Sequence, residues 1–137
     1  MKNYVSICSL SFLLLLFSSC KKESSISIVG KWRSVSVYTI QDSGNYKWVP
    51  IERYPQFLNF SNEGRFGSAT DVPGGSGSYN YDETSQTLIL HFEADAYGNA
   101  PGTRNLKVDE LNRDKLILSY SLTGSNSAYK TQYTRLN

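Results

Sequence analysis

The sequence predicts an all-β protein, folded as an eight-stranded antiparallel up-and-down β-barrel. From Ile28 onward, short segments rich in Tyr, Val, Ile, Leu and Thr alternate with clusters of Gly, Pro, Asn, Asp and Ser, and no long helical period is visible. The connections also alternate between longer and shorter, and a meander places alternate connections at opposite ends. The longer loops therefore gather at one end, and the short turns and both termini at the other. Closure into a barrel removes exposed sheet edges, and such a barrel can hold one small ligand.

The expected strands are separated by these turn signals. Alternation is clearest in 86–93, where Leu88, Leu90 and Phe92 share one face, and in 115–122, where Leu116 and Leu118 do the same. One buried face and one wet face are typical of antiparallel sheets. The strands span residues 30–40, 54–61, 64–69, 76–82, 86–93, 103–111, 115–122 and 128–136, with 46–51 as an alternative start of the second strand.

The first strand alternates less clearly. Trp32, Ser34, Ser36 and Tyr38 fall on one face, while valines occupy the other. This mixture indicates a β-bulge within the strand. If the face of Trp32 points inward throughout, the two small serines leave space for a cavity.

A segment of different composition precedes the barrel. Lys2 gives it a positive start, and residues 5–17 form an apolar run. A membrane-spanning helix needs roughly 20 apolar residues, so the shorter run predicts a cleaved signal peptide. The run ends in Ser18 and Ser19, directly before Cys20.

An apolar run, two small residues and a cysteine resemble a bacterial lipoprotein signal. The resemblance implies a thioether-linked lipid on Cys20, cleavage just before it, and acylation of the new amine with a chain such as palmitate. Several acyl chains anchor a protein stably in a membrane. The expected organisation is a leader over 1–19, a lipidated cysteine and short tether over 20–28, and a barrel domain over 29–137 in the cell envelope, anchored in the outer membrane. The alternative is an ordinary secretory signal with an incidental cysteine.

Charge and cysteine content exclude several classes of function. Fourteen Lys and Arg residues stand against twelve Asp and Glu without a basic block, which argues against a nucleic-acid partner. Of the two cysteines, Cys8 leaves with the leader and Cys20 carries the lipid. The mature domain is therefore expected to have no disulfide, no thiol nucleophile and no cysteine metal ligand.

Neither a catalytic constellation nor a metal site is expected. His91 is the single histidine, and it alternates with Leu90 onto the outer face of its strand. One histidine without cysteines does not make a zinc site, and no Ser–His–Asp pattern accompanies it. Oxygen ligands in Glu93, Asp95 and Asn99 lack the register of a calcium loop. The sequence thus predicts a protein that is not an enzyme and holds no cofactor or metal.

Residues at both ends of the barrel domain resemble the lipocalin pattern. Gly30 and Trp32 begin the first strand, and Arg135 lies in the last strand, two residues after Tyr133. The arrangement of lipoprotein signal, tether, GKW motif and closing YTRL is similar to bacterial lipocalin-like lipoproteins. The resemblance implies a lipocalin-like barrel in which Trp32 and Arg135 are a structural pair that closes one end.

Tyrosine is the most unusual feature of the composition, with ten in the chain. Aromatic rings with a polar tip suit a mouth that grips an amphipathic or aromatic ligand, or the face of a sugar. The alternative is that tyrosine simply favours half-buried strand positions. The predicted ligand-binding residues near the long-loop end are Tyr38, Trp48, Tyr54, Tyr79, Tyr97, Tyr120 and Tyr129.

Two functions of different class follow. The first is a membrane-anchored binding protein that holds a small apolar or amphipathic ligand at the open end of the barrel. The second is a non-catalytic interaction module whose loops 41–53, 70–77 and 94–103 contact an envelope protein or a glycan. An open apolar interior favours the first, and a barrel sealed by side chains favours the second.

The anchor gives the first testable prediction. Cys20→Ala removes the atom that carries the lipid, so the variant is expected in the soluble periplasmic or extracellular fraction. Fractionation followed by detection of the protein measures this. Continued membrane association of the variant would contradict the lipoprotein assignment.

Overall fold

The computed structural model describes residues 26–40, 44–69, 75–94, 100–121 and 128–137. The predicted fold is confirmed, since the regular structure of these residues is all β and closes into an eight-stranded antiparallel barrel with one extra strand. The leader, Cys20 and Tyr97 lie outside the described residues. The strands are β1 (Gly30–Ile40), β2 (Tyr46–Pro50), β3 (Phe57–Phe60), β4 (Arg65–Ala69), β5 (Ser76–Asp82), β6 (Thr87–Phe92), β7 (Gly102–Leu111), β8 (Lys115–Ser121) and β9 (Ala128–Leu136). Within the described ranges, no helix has the length and apolar character to cross a membrane.

Pairing between β1 and β9 closes the barrel. Strands β3 to β9 follow one another as antiparallel neighbours, and β1 joins β3 to β9. Alternate connections therefore fall at opposite ends, as the loop lengths predicted. The end that holds the short turns is called the floor below, and the end that holds the longer loops is called the mouth.

The predicted second strand is two strands in the structure. β3 pairs with the first four residues of β1, and β2 pairs with the last five, from Ser36 to Ile40. Tyr54, between them, has a φ of 56°, a left-handed conformation that ends a strand. The backbone N–H of Ser34 donates to the Gln56 carbonyl at 2.8 Å, and the N–H of Ile51 donates to Val35 at 2.9 Å. β2 and β3 thus both pair with β1, while the segment between them lies outside the sheet.

The bulge expected in β1 is present. The register of β1 against β9 shifts between Ser34 and Ser36. Ser34 pairs with Tyr133 and is buried, whereas Ser36 pairs with Gln132, on the opposite face of β9. The expectation that Ser36 points inward is therefore wrong. The extra residue reverses the alternation, and every later residue of β1 changes face.

Large apolar side chains fill the floor half of the barrel. Trp32, Leu88 and Leu116 have no exposed surface. The predicted inward faces of 86–93 and 115–122 are confirmed by the burial of Leu88, Leu90, Leu116 and Leu118. The core consists of Ile28, Trp32, Leu58, Phe60, Phe66, Leu88, Leu90, Leu106, Val108, Leu116, Leu118 and Tyr133.

Arg135 covers the floor. Its guanidinium carbon lies 4.1 Å from the centroid of the Trp32 ring, an attraction worth about 0.5–2 kcal/mol. The same group donates to three backbone carbonyls: Nη1 to Val29 at 2.6 Å, Nη2 to Ser27 at 2.7 Å and Nε to Arg113 at 2.6 Å. These bonds tie the entry of β1 and the β7–β8 turn to β9.

Two neighbouring features fix the entry of β1. The Trp32 indole Nε1 donates to the Ile28 carbonyl at 2.8 Å, and Ile28 itself is buried. Gly30 has a φ of 137°, and a Cβ there would collide with the Arg135 guanidinium. Only glycine suits this position, because it tolerates the backbone angle and leaves room for the arginine.

Trp32→Ala is expected to lower the free energy of unfolding by about 3–5 kcal/mol, since it empties the largest fully buried site and removes the support of Arg135. Trp48→Ala is the matched control because the Trp48 side chain is 38% exposed. His91→Ala, at an exposed outer position, should also cost little. Urea unfolding curves measure all three variants. A larger loss in either control than in Trp32→Ala would show that the inward and outward faces are assigned wrongly.

Candidate functional site

A cavity of about 380 Å³ lies inside the barrel, between the filled floor half and the mouth. Its volume falls within the range of small-ligand pockets, roughly 300–1,000 Å³. The lining combines apolar, hydroxyl, amide and charged side chains. The lining residues are Gln56, Leu58, Ser68, Gly75, Leu90, Phe92, Arg104, Leu106, Leu118, Tyr120, Thr131 and Tyr133.

A hydrogen-bonded network forms one wall of the cavity. The Tyr133 hydroxyl donates to Gln56 Oε1 at 2.5 Å, and Gln56 Nε2 donates to Ser68 Oγ at 3.2 Å. The backbone N–H of Gln56 donates to Ser34 Oγ at 2.7 Å, and its carbonyl accepts from the Ser34 N–H. The backbone and the side chain of Gln56 thus each form two hydrogen bonds. The two side-chain bonds hold the amide in one orientation.

Tyr133 stays protonated in this wall. Only 4% of the residue is exposed, and burial raises the pKa of its phenol well above the usual value near 10. A hydrogen bond with Thr131 and the positive charge of Arg104 oppose that rise. Burial outweighs them, so at neutral pH the hydroxyl is a donor to Gln56.

Arg104 brings a positive charge to the cavity near the mouth. It pairs with Leu90 across β6 and β7, so the two share the inward face. Its guanidinium carbon lies 5.4 Å from the centroid of the Phe92 ring. Among the described residues that line the cavity, Arg104 has the only charged side chain.

Two tyrosines stack at the mouth. The rings of Tyr120 and Tyr129 have centroids 5.4 Å apart and planes inclined by 18°. Both are partly exposed, at 38% and 42%, and Tyr120 also lines the cavity. Tyr120 and Tyr129 are thus the two predicted ligand-binding residues that lie beside the cavity among those that the structure describes.

Three other predicted residues, Tyr38, Trp48 and Tyr54, lie on the outside of the barrel. Tyr38 and Trp48 pair across β1 and β2 with ring centroids 5.4 Å apart, and Tyr46 stacks on Tyr38 at 5.5 Å. The bulge places this cluster outside, because it reverses the face of Tyr38. Tyr54 is 71% exposed in the segment between β2 and β3.

Tyr79 points inward, as expected, but lies near the floor. Its ring meets the edge of Phe60 with centroids 5.0 Å apart, and its hydroxyl donates to the Ser61 carbonyl at 2.9 Å. Burial raises the pKa of Tyr79. The residue belongs to the floor packing and does not line the cavity.

Sequence reasoning missed Arg104 and Gln56. Arg104 shares the inward face of β7 with Leu106, and Gln56 continues the alternation of Leu58. A polar residue on an otherwise apolar face is the signal that identifies both positions. The prediction instead followed aromatic residues, of which Tyr38, Trp48, Tyr54 and Tyr79 do not line the cavity.

The single histidine of the chain does not line the cavity. His91 lies on the outer face, with its Nδ1 3.1 Å from the Thr103 hydroxyl. Within the described ranges, no three His, Cys, Asp or Glu side chains come together as metal ligands would. Comparison with known protein families finds no matching family model, and comparison with curated proteins finds no match.

The wall network gives a pH-dependent prediction. The folded pKa of Tyr133 is raised, so its contribution to stability is complete below the unfolded pKa near 10 and is lost as pH rises further. Above that pH the unfolded state binds fewer protons than the folded state, and stability falls by up to about 1.4 kcal/mol per pH unit.

Tyr133→Phe should therefore lose about 1–3 kcal/mol near neutral pH, because it leaves Gln56 Oε1 without its donor. Its stability should then fall less steeply than that of the wild type above about pH 10. Urea unfolding across that range measures both effects, with Tyr54→Phe as an exposed control. Parallel stability profiles for wild type and Tyr133→Phe would contradict the assignment.

Proposed function

We propose that this protein is a lipid-anchored binding protein of the cell envelope, which holds a small amphipathic ligand in the open half of a lipocalin-like barrel. The observation that carries the proposal is the cavity of about 380 Å³ inside the barrel. A core that continued from floor to mouth would have left no such space. Among the described residues, large apolar side chains fill one half of the barrel, and the cavity occupies the other.

The lining supports an amphipathic ligand. Leu90, Leu106 and Leu118 offer apolar surface, and Phe92 adds an aromatic ring beside the mouth. The hydroxyls of Tyr120 and Thr131, which also line the cavity, supply polar contacts. Binding sites of this kind take most of their affinity from apolar burial and their orientation from a few polar groups.

The anchor would set the direction of the mouth. Arg135 holds the carbonyls of Ser27 and Val29 at the floor, so the chain enters the barrel there. Residues 21–26 separate Ser27 from Cys20, and when fully extended they span at most about 22 Å. A lipid on Cys20 would therefore hold the floor toward the outer membrane and leave the mouth in the aqueous space. Such a mouth samples dissolved ligands.

A second candidate is the interaction module. The outer cluster of Tyr38, Tyr46 and Trp48 favours it, because these rings stack on one another outside the barrel and remain partly exposed. Tyrosine and tryptophan are frequent anchors of protein interfaces and of sugar-binding surfaces. In this role the cluster would contact an envelope protein or a glycan, independently of the cavity.

Filling the cavity tests the binding function. Thr131→Phe adds a ring inside the barrel, whereas Gln132→Phe adds the same ring to the outer face of β9. The uncharged dye phenylnaphthylamine, which fluoresces in apolar surroundings, should bind the wild type and Gln132→Phe alike. Thr131→Phe should weaken its binding about tenfold or more, as expected for a loss of at least 1.4 kcal/mol. Equal dye affinity in the two variants, or none in the wild type, would contradict a ligand-binding cavity.

A further inference from the structure

We propose that the ligand carries a single anionic group, such as a carboxylate, sulfonate or phosphate ester, which Arg104 binds at the mouth while the apolar body lies deeper in the barrel. This inference rests on the proposed binding function and names the chemical class of the ligand.

The position of Arg104 is the first support. Its side chain lines the cavity and also an adjoining recess of about 330 Å³ at the mouth. The guanidinium stands over Phe92, which keeps one face of the group against an aromatic ring. The cation therefore lies where the recess and the cavity meet.

The second support is that no carboxylate of the described chain neutralises this charge. Glu93 lines the same recess, but both of its carboxylate oxygens bind Arg65, at 2.6 and 2.8 Å. Those hydrogen bonds hold the pKa of Glu93 below its usual value. Among the described residues, the ion pairs formed by the other carboxylates involve Lys107, Lys115 and Lys130.

Arg135 provides the contrast within the same protein. It also points inward, but each of its three nitrogens donates to a backbone carbonyl at the floor. Its hydrogen-bonding capacity is used by the fold. Arg104, on the described residues, has a ring contact and no ion pair, so its planar set of donors is available to oxygen atoms of a ligand.

The deeper wall does not compete for the anion. The Tyr133 hydroxyl already donates to Gln56, and the Gln56 amide donates to Ser68. An anionic group placed there would lose its hydration without finding a cation. The favourable arrangement puts the charge beside Arg104, near water, and the apolar body against Leu90, Leu106 and Leu118.

Two dyes of the same skeleton test this arrangement. Anilinonaphthalenesulfonate carries a sulfonate that phenylnaphthylamine lacks. Arg104→Gln should weaken the sulfonate dye roughly tenfold, the loss of one charge-assisted contact, and leave the uncharged dye within about twofold. Lys107→Gln removes a charge from the outer face of the same strand and should change neither affinity. Added salt should weaken the sulfonate dye alone, because an exposed cation is screened.

The outcomes separate the two proposals. If Thr131→Phe blocks the uncharged dye while Arg104→Gln and Lys107→Gln affect the sulfonate dye equally, the anionic ligand is overturned and the binding cavity stands. If Thr131→Phe blocks neither dye, both proposals fail. A selective loss of the sulfonate dye in Arg104→Gln, together with its block by Thr131→Phe, supports both.

Discussion

Arg135 connects parts of the chain that are 106 and 108 residues apart, through its bonds to Val29 and Ser27, while its planar group lies on Trp32. Without it, these partly buried carbonyls at the entry of β1 would lose the donors that the arginine side chain supplies. A buried polar group without a partner costs about 1–3 kcal/mol. The floor is therefore closed over the apolar core, and the cavity lies toward the opposite end.

The two halves of the interior differ in packing. Trp32, Phe60 and Leu88 fill the floor half. Toward the mouth, small inward residues such as Ser68 and Thr131 lie among larger ones, and the cavity remains between the walls. The location of the site thus follows from the distribution of volume along the strands, and its polarity follows from the residues that interrupt the apolar faces.

The sequence predicts a strand correctly where apolar and polar residues alternate without interruption. Strands that alternate strictly, such as the one holding Leu88 and Leu90, are predicted correctly because each residue's face follows from its neighbour's. β1 is not, because one extra residue before Ser36 reverses the pattern, and the sequence indicates a bulge without giving its consequences. The position of Tyr38 outside the barrel follows from that single shift. The inward position of Arg104 could have been predicted from the alternation of its strand. That Glu93 forms no ion pair with it could not, because Glu93 binds Arg65, which is distant in sequence.

Closure through β1 and β9 also constrains how the chain folds. β9 is the last strand in chain order, so the barrel cannot close before it has been made. Until then, the outer edges of β1 and β8 both carry unpaired backbone groups, which are templates for pairing with other chains. Contacts of such long sequence separation also form slowly, because loop-closure entropy opposes them. We therefore expect the contact between Trp32 and Arg135 to form late in folding, and the chain to be exposed to aggregation through these edges until it does.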